Sequence, residues 1–143
     1  MYKAKRGKTC VELFSREGEH RDVGRLQLLS DLPAALRDEQ LVVHYQPQLD
    51  ITTGDLVAIE ALIRWQHPVL GLIPPGEFMP VAEHTEMMDE ITLYVLDRAL
   101  ATCGRFRARG HHLRVAVNAS AQNLRNLRFP EAVFDALVRA GLP

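Results

Sequence analysis

Glu60 and Arg64 lie four residues apart in an otherwise apolar run, Leu56-Val57-Ala58-Ile59-Glu60-Ala61-Leu62-Ile63-Arg64-Trp65. Read as a strand, the run puts Val57, Ile59, Ala61 and Ile63 on one face and Ala58, Glu60, Leu62 and Arg64 on the other. A carboxylate and a guanidinium on one face of a sheet cost free energy unless they pair, hold a metal ion or border a ligand-filled cavity. A buried Glu–Arg pair closing a strand end is the structural alternative, since ion pairs of that kind mimic functional sites. Asn118, which ends Val115-Ala116-Val117, offers an amide oxygen that with the Glu60 carboxylate makes two hard donors of the kind magnesium and manganese favour. Asn118 could equally cap the turn after its strand, as asparagine commonly does. Gln46, in Tyr45-Gln46-Pro47, is either a polar strand residue bonded to a neighbouring loop or part of a site.

The elements that must position these residues are legible in outline. Strands are predicted at about 41–49 and 55–65, joined by a hairpin turn between Thr52 and Asp55 that contains Gly54, so these two strands are expected to be antiparallel. A helix is expected to begin at a Ser30 or Asp31 cap, with Pro33 in its first turn, where the missing donor does no harm. Residues 76–84 read as a short helix. Ile91, Val95, Leu96, Ala99, Leu100, Cys103 and Phe106 recur at helical spacing and predict a longer one over about 86–109, ended by Gly110. Leu113 to Asn118 is a further strand, Ala121 to Leu124 a helical turn, and Pro130 opens a last helix that closes at Gly141. Strands and helices alternating at these lengths predict an α/β fold with helices covering the sheet.

Composition narrows the possible partners. The 143 residues are 47% hydrophobic and 24% charged with a formal net charge of −1, so no global field draws the chain to nucleic acid or to an acidic membrane. An anionic ligand would have to be held locally. No apolar run reaches the length of a membrane span, and the basic start Met1-Tyr2-Lys3-Ala4-Lys5-Arg6 leads into no signal core. Two cysteines, Cys10 and Cys103, lack metal-ligand spacing and suit a reducing cytosol. Residues 1 to about 27 are charge-rich, and Gly7, Gly18 and Gly24 are expected to interrupt any long helix there. The cluster Lys3, Lys5, Arg6 and Lys8 reads as a solvated helix end. His67 before Pro68 reads as loop structure, His111-His112 as surface, and Glu77 and Glu83 as solvated carboxylates.

Taken in order, Leu41-Val42-Val43-His44-Tyr45-Gln46-Pro47-Gln48-Leu49, Glu60-Ala61-Leu62, Trp65-Gln66-His67-Pro68, Ile73-Pro74-Pro75-Gly76-Glu77-Phe78-Met79-Pro80-Val81-Ala82-Glu83 and Val115-Ala116-Val117-Asn118-Ala119-Ser120 resemble the EAL family of cyclic di-GMP phosphodiesterases. The resemblance runs from about Leu28 to Pro143. It implies a modified TIM-type (β/α)8 barrel with one antiparallel strand, and metal-dependent hydrolysis of cyclic di-GMP to a linear dinucleotide. Such chemistry calls for an activated water and neutralised phosphoryl oxygens, often with two metals. The resemblance implies that Glu60 and Asn118 bind Mg2+ or Mn2+, with Glu60 the catalytic carboxylate. It further implies that Arg64 contacts phosphate, that Gln46 lines the nucleotide pocket and that Leu62 packs on the ligand. Arginine suits that contact because its planar fork matches phosphate bidentately. Residues 1–27 resemble the end of a GGDEF diguanylate cyclase domain followed by a linker, without that family's nucleotide-binding or catalytic motif.

Residues 28–143 correspond to about the first half of such a barrel, which needs roughly 250 residues in all. A second metal-binding glutamate, an aspartate-rich loop, a lysine associated with the water, and a late glutamate and glutamine have no counterpart among them. Two oxygen donors do not fix two divalent metals, so the 143-residue chain is expected to be inactive by itself. The alternative is a non-catalytic module that binds cyclic di-GMP or a protein partner, including a second copy or a complementary half-barrel, or a remnant that does not fold stably alone.

Overall fold

The computed structural model describes residues 16–83 and 85–142, and the expectations for the basic cluster and for Cys10 lie outside them. Helix α1 (Arg16–Arg37) leads into a hairpin of β1 (Leu41–Leu49) and β2 (Leu56–His67), then a short β3 (Gly71–Ile73). Helices α2 (Pro75–Ala82) and α3 (Met87–Arg107) follow, then β4 (Arg114–Val117), α4 (Ala121–Arg125) and α5 (Phe129–Ala140).

Strand β2 is the axis of the sheet. It pairs antiparallel with β1 along one edge, from Leu41 opposite Trp65 to Leu49 opposite Leu56. Its other edge is shared: β4 runs parallel beside Ala58–Ala61, and β3 folds back antiparallel beside Trp65–His67. One antiparallel strand beside a parallel pair connected through helices is the expected barrel arrangement in part. The hairpin turn holds because Asp50 accepts hydrogen bonds from the Thr52 and Thr53 amides at 2.7 and 3.1 Å, and Gly54 takes φ 76°. Those two donors hold the Asp50 carboxyl below the usual carboxylate range.

Two expectations are corrected. The helix expected to start at Ser30 or Asp31 starts at Arg16 and runs unbroken through Gly18, Gly24, Ser30, Asp31 and Pro33. Tertiary burial overrides the local signals: Leu28, Leu32 and Ala35 form a stripe set into the core, while Pro33 stands on the exposed face, where the carbonyl it leaves unpaired can meet water. His67, expected as loop structure, is the last residue of β2, and the short β3 that follows it has no counterpart among the expected elements, being too short to show alternation. The remaining elements fall within one or two residues of expectation.

The core lies on the helix-covered face of the sheet. Ala61, Ile63 and Trp65 of β2 pack with Leu28 and Leu32 of α1, Phe78 and Ala82 of α2, and Met88, Ile91, Val95 and Ala99 of α3. Trp65 is fully buried, meets Phe78 edge-on at 5.6 Å between ring centroids, and donates its indole N–H to Gln40 at 3.1 Å. A smaller cluster joins Leu96 and Leu100 of α3 to Ala136 of α5. Because the odd-numbered residues of β2 fill this core, the even-numbered ones face the side that none of the described helices covers, called the uncovered face below.

Candidate functional site

The uncovered face carries the chemistry. Antiparallel register sets Gln46 directly across from Glu60, and parallel register sets Ala116 on the other flank of Glu60. Asn118, one residue beyond the end of β4, thereby comes level with Leu62. Its Nδ2 donates to Oε1 of Glu60 at 2.9 Å. Residues 58 positions apart are thus joined where β4 ends beside the middle of β2; barrels of this type build their sites at the carboxyl ends of strands, and Asn118 stands at one.

The structure brings five sequence-predicted residues onto one face. Gln46 and Asn118 are exposed, while Glu60, Leu62 and Arg64 are half-buried. The Glu60–Arg64 pair weighed as an alternative does not form: Arg64 turns its Nη1 to the Ile63 carbonyl at 2.8 Å, and Glu60 takes Asn118 as its partner. That leaves most of the Arg64 fork open to an anion on the same face. His67 departs from expectation, being the last residue of β2 and paired with Gly71, with its Nδ1 accepting from the Val69 and Leu70 amides of the turn at 3.2 Å each, whereas Glu77, Glu83, His111 and His112 are exposed as expected.

Glu60 and Asn118 fit a hard divalent cation in part. Their oxygens are of the right type and close enough to reach one ion once the amide oxygen is turned toward it. Among the described residues no three His, Cys, Asp or Glu side chains gather into a metal-binding group. A cavity of about 170 Å³ touches Leu62 and Asn118 but lies chiefly on the helix-covered side, among Ala61, Ile63, Ile91 and Val95. Small-molecule pockets span roughly 300–1,000 Å³, so this cavity is not the enclosure of a site.

Sequence reasoning missed the support beneath Asn118. Ser120 caps α4 and closes a reciprocal box with Asn123, whose side chain is fully buried. Asn123 Oδ1 accepts from the Ser120 amide and hydroxyl at 2.7 and 2.9 Å, while its Nδ2 donates to Asp89 at 2.6 Å. The four-residue spacing Ser120-x-x-Asn123 is the available signal, being a capping-box pattern with a shorter amide in the last place. Nothing in the local sequence marks Asp89.

The EAL domain family model matches residues 29–143. The chain is 41% identical over 137 residues to the cyclic di-GMP phosphodiesterase NbdA of Pseudomonas aeruginosa, covering 95% of this chain and 18% of that protein. It is 39% identical over 144 residues to the bifunctional diguanylate cyclase/cyclic di-GMP phosphodiesterase MucR of the same organism, covering 99% of this chain and 21% of that one. It therefore spans about a fifth of the length of these relatives. Among solved structures, the MucR phosphodiesterase in complex with c-di-GMP superposes with a TM-score of 0.78 at 42% identity, over 81% of this chain and 47% of that one.

Proposed function

The chain belongs to the EAL domain family, and from that premise we propose that its uncovered face is part of a site for metal-dependent hydrolysis of cyclic di-GMP to the linear dinucleotide. The observation that carries the reading is the 2.9 Å contact from Asn118 Nδ2 to Glu60, because it brings a side-chain amide and a carboxylate together where β4 ends, on the same face as Arg64 and Gln46. In this reading Glu60 and Asn118 hold Mg2+ or Mn2+, Arg64 binds a phosphate oxygen through its fork, Gln46 lines the nucleotide pocket and Leu62 packs on a base or ribose. A divalent cation bound there neutralises charge on the phosphoryl group and lowers the pKa of the attacking water. The protein residues fix the diester against the sheet so that this water meets phosphorus from one side.

Residues 28–143 act in this reading as the first half of the barrel. Residues 1–27 are the end of a GGDEF domain and a linker, supported by a match to the bifunctional MucR that extends over 99% of the chain. In this reading the chain acts in the cytoplasm; separately, among the described residues no helix is long and apolar enough to cross a membrane. Two donors are fewer than two metals require, which favours a second reading for residues 1–143 taken alone: a module that binds cyclic di-GMP, another copy or a complementary half without turnover.

The test is hydrolysis of cyclic di-GMP with Mg2+ or Mn2+, by residues 1–143 alone and by the same residues joined to the second half of the MucR phosphodiesterase barrel, each beside Glu60→Ala. Turnover by the joined chain that Glu60→Ala abolishes supports the reading. Retention of full turnover by Glu60→Ala overturns it. Turnover by residues 1–143 alone would overturn the half-site argument.

A further inference from the structure

We propose that Asp89 and Asn123 are positioning residues for the Asn118 amide, a role resting on the reading of Asn118 given above. Asn118 is exposed and follows the last residue of β4, so the strand ladder alone does not fix it. Two residues later the chain is locked. The Ser120 amide and hydroxyl both donate to Asn123 Oδ1, at 2.7 and 2.9 Å, and the Asn123 amide returns a bond to Ser120 Oγ at 3.2 Å. Asn123 is held from the far side by α3. Asp89 Oδ1 accepts its Nδ2 at 2.6 Å and Asp89 Oδ2 accepts Asn126 Nδ2, while the Thr92 hydroxyl, whose single proton is shared with the nearer Met88 carbonyl, lies 3.1 Å from Asn123 Oδ1.

Every polar atom of the fully buried Asn123 side chain therefore has a partner, and both carboxylate oxygens of Asp89 face an amide donor. Gln122 adds a bond from the same short helix to the Thr85 carbonyl at 2.8 Å, at the start of α3. This satisfied knot ties α4 to α3 and sets the height at which the chain leaves β4, and hence whether the Asn118 amide reaches Glu60. A half-satisfied polar cluster would let that exit shift, and outer partners of metal ligands typically control affinity by 10–100-fold.

The arrangement admits a shape-conserving test. Asp89→Asn turns one acceptor into a donor facing another donor. Adding Asn126→Asp restores the pairing with its polarity reversed. In the 143-residue chain, Mn2+ affinity is read by the paramagnetic resonance of free Mn2+, and the Asn118 side-chain amide by 15N NMR without metal. Asp89→Asn is expected to weaken Mn2+ binding about tenfold and to displace the Asn118 amide signals, and the double variant to return both toward wild type. Should Asp89→Asn not fold, Asn126→Ala, at a half-buried position, removes one bond from the knot and gives the same readings in smaller degree. Unmoved Asn118 signals in a folded Asp89→Asn or Asn126→Ala protein overturn the positioning role. An Asn118→Ala protein with unchanged Mn2+ affinity overturns the metal-ligand reading instead, and the amide signals then decide the positioning role alone.

Discussion

Phe78→Leu tests whether the joint between α2 and the end of β2 holds the site's strand in place. Phe78 is fully buried and meets Trp65 edge-on at 83° between ring planes, and Trp65 is the residue after Arg64 on the opposite face of the strand. Leucine keeps the position apolar but loses the aromatic pair, about 0.5–1.5 kcal/mol beyond area burial. It also leaves a void on the order of 20 Å³, which at roughly 24 cal/mol per Å³ adds about 0.5 kcal/mol. The expected loss is about 1.5 kcal/mol. With a urea slope of about 2 kcal/mol per molar, the midpoint falls by about 0.7 M. The chain's one tryptophan is Trp65, so its fluorescence reports the transition from the joint itself. Phe134→Leu, at a residue 65% exposed on α5, serves as the control and should change stability by less than about 0.5 kcal/mol. A Phe78→Leu midpoint no lower than that of the control would refute the reasoning, because the pair would then contribute nothing beyond surface chemistry.

Other perturbations follow from the same contacts. Tyr45→Phe removes the hydroxyl that donates to the Arg98 carbonyl at 3.0 Å and accepts from Thr102 at 2.9 Å, and should cost about 1 kcal/mol by urea denaturation. Burial pushes the Cys103 thiol up, so a thiol reagent at neutral pH should label Cys103 far more slowly in the folded chain than in urea, as followed by peptide mass spectrometry. Because the Asp50 carboxyl is held low in the folded state, its contribution is present above the unfolded carboxylate range and lost as pH falls through its folded value. The stability difference between wild type and Asp50→Ala should therefore hold steady from neutral pH to about pH 4 and shrink below it. His67 Nδ1 accepts two backbone N–H groups, which places the ring proton on Nε2, facing Asp31 at 3.4 Å; 15N NMR should show that tautomer, and a proton on Nδ1 would contradict the geometry.

What could be read in advance follows from the range of the forces involved. The alternation in Leu56–Trp65 revealed which face Glu60 and Arg64 share, since that periodicity is local and needs no partner strand. Whether the two residues pair was not local. It depended on Asn118 arriving from 58 positions away, through a parallel register that no turn dictates. The start of α1 was misplaced for a related reason: Ser30, Asp31 and Pro33 carry strong local signals for a helix start, yet burial of Leu28 against a core built largely from later residues outweighs them. Asp89 is the limiting case. In sequence it is an ordinary acidic residue in the first turn of α3, favourable there through the helix dipole alone. Its second role exists only because α4 brings Asn123 and Asn126 within reach of both its oxygens. Glu60 and Arg64 were therefore visible from type and spacing, and Gln46, Leu62 and Asn118 through the resemblance to the EAL family, whereas Asp89 and Asn123, proposed to aim Asn118, were not, because aiming is a property of contacts between elements.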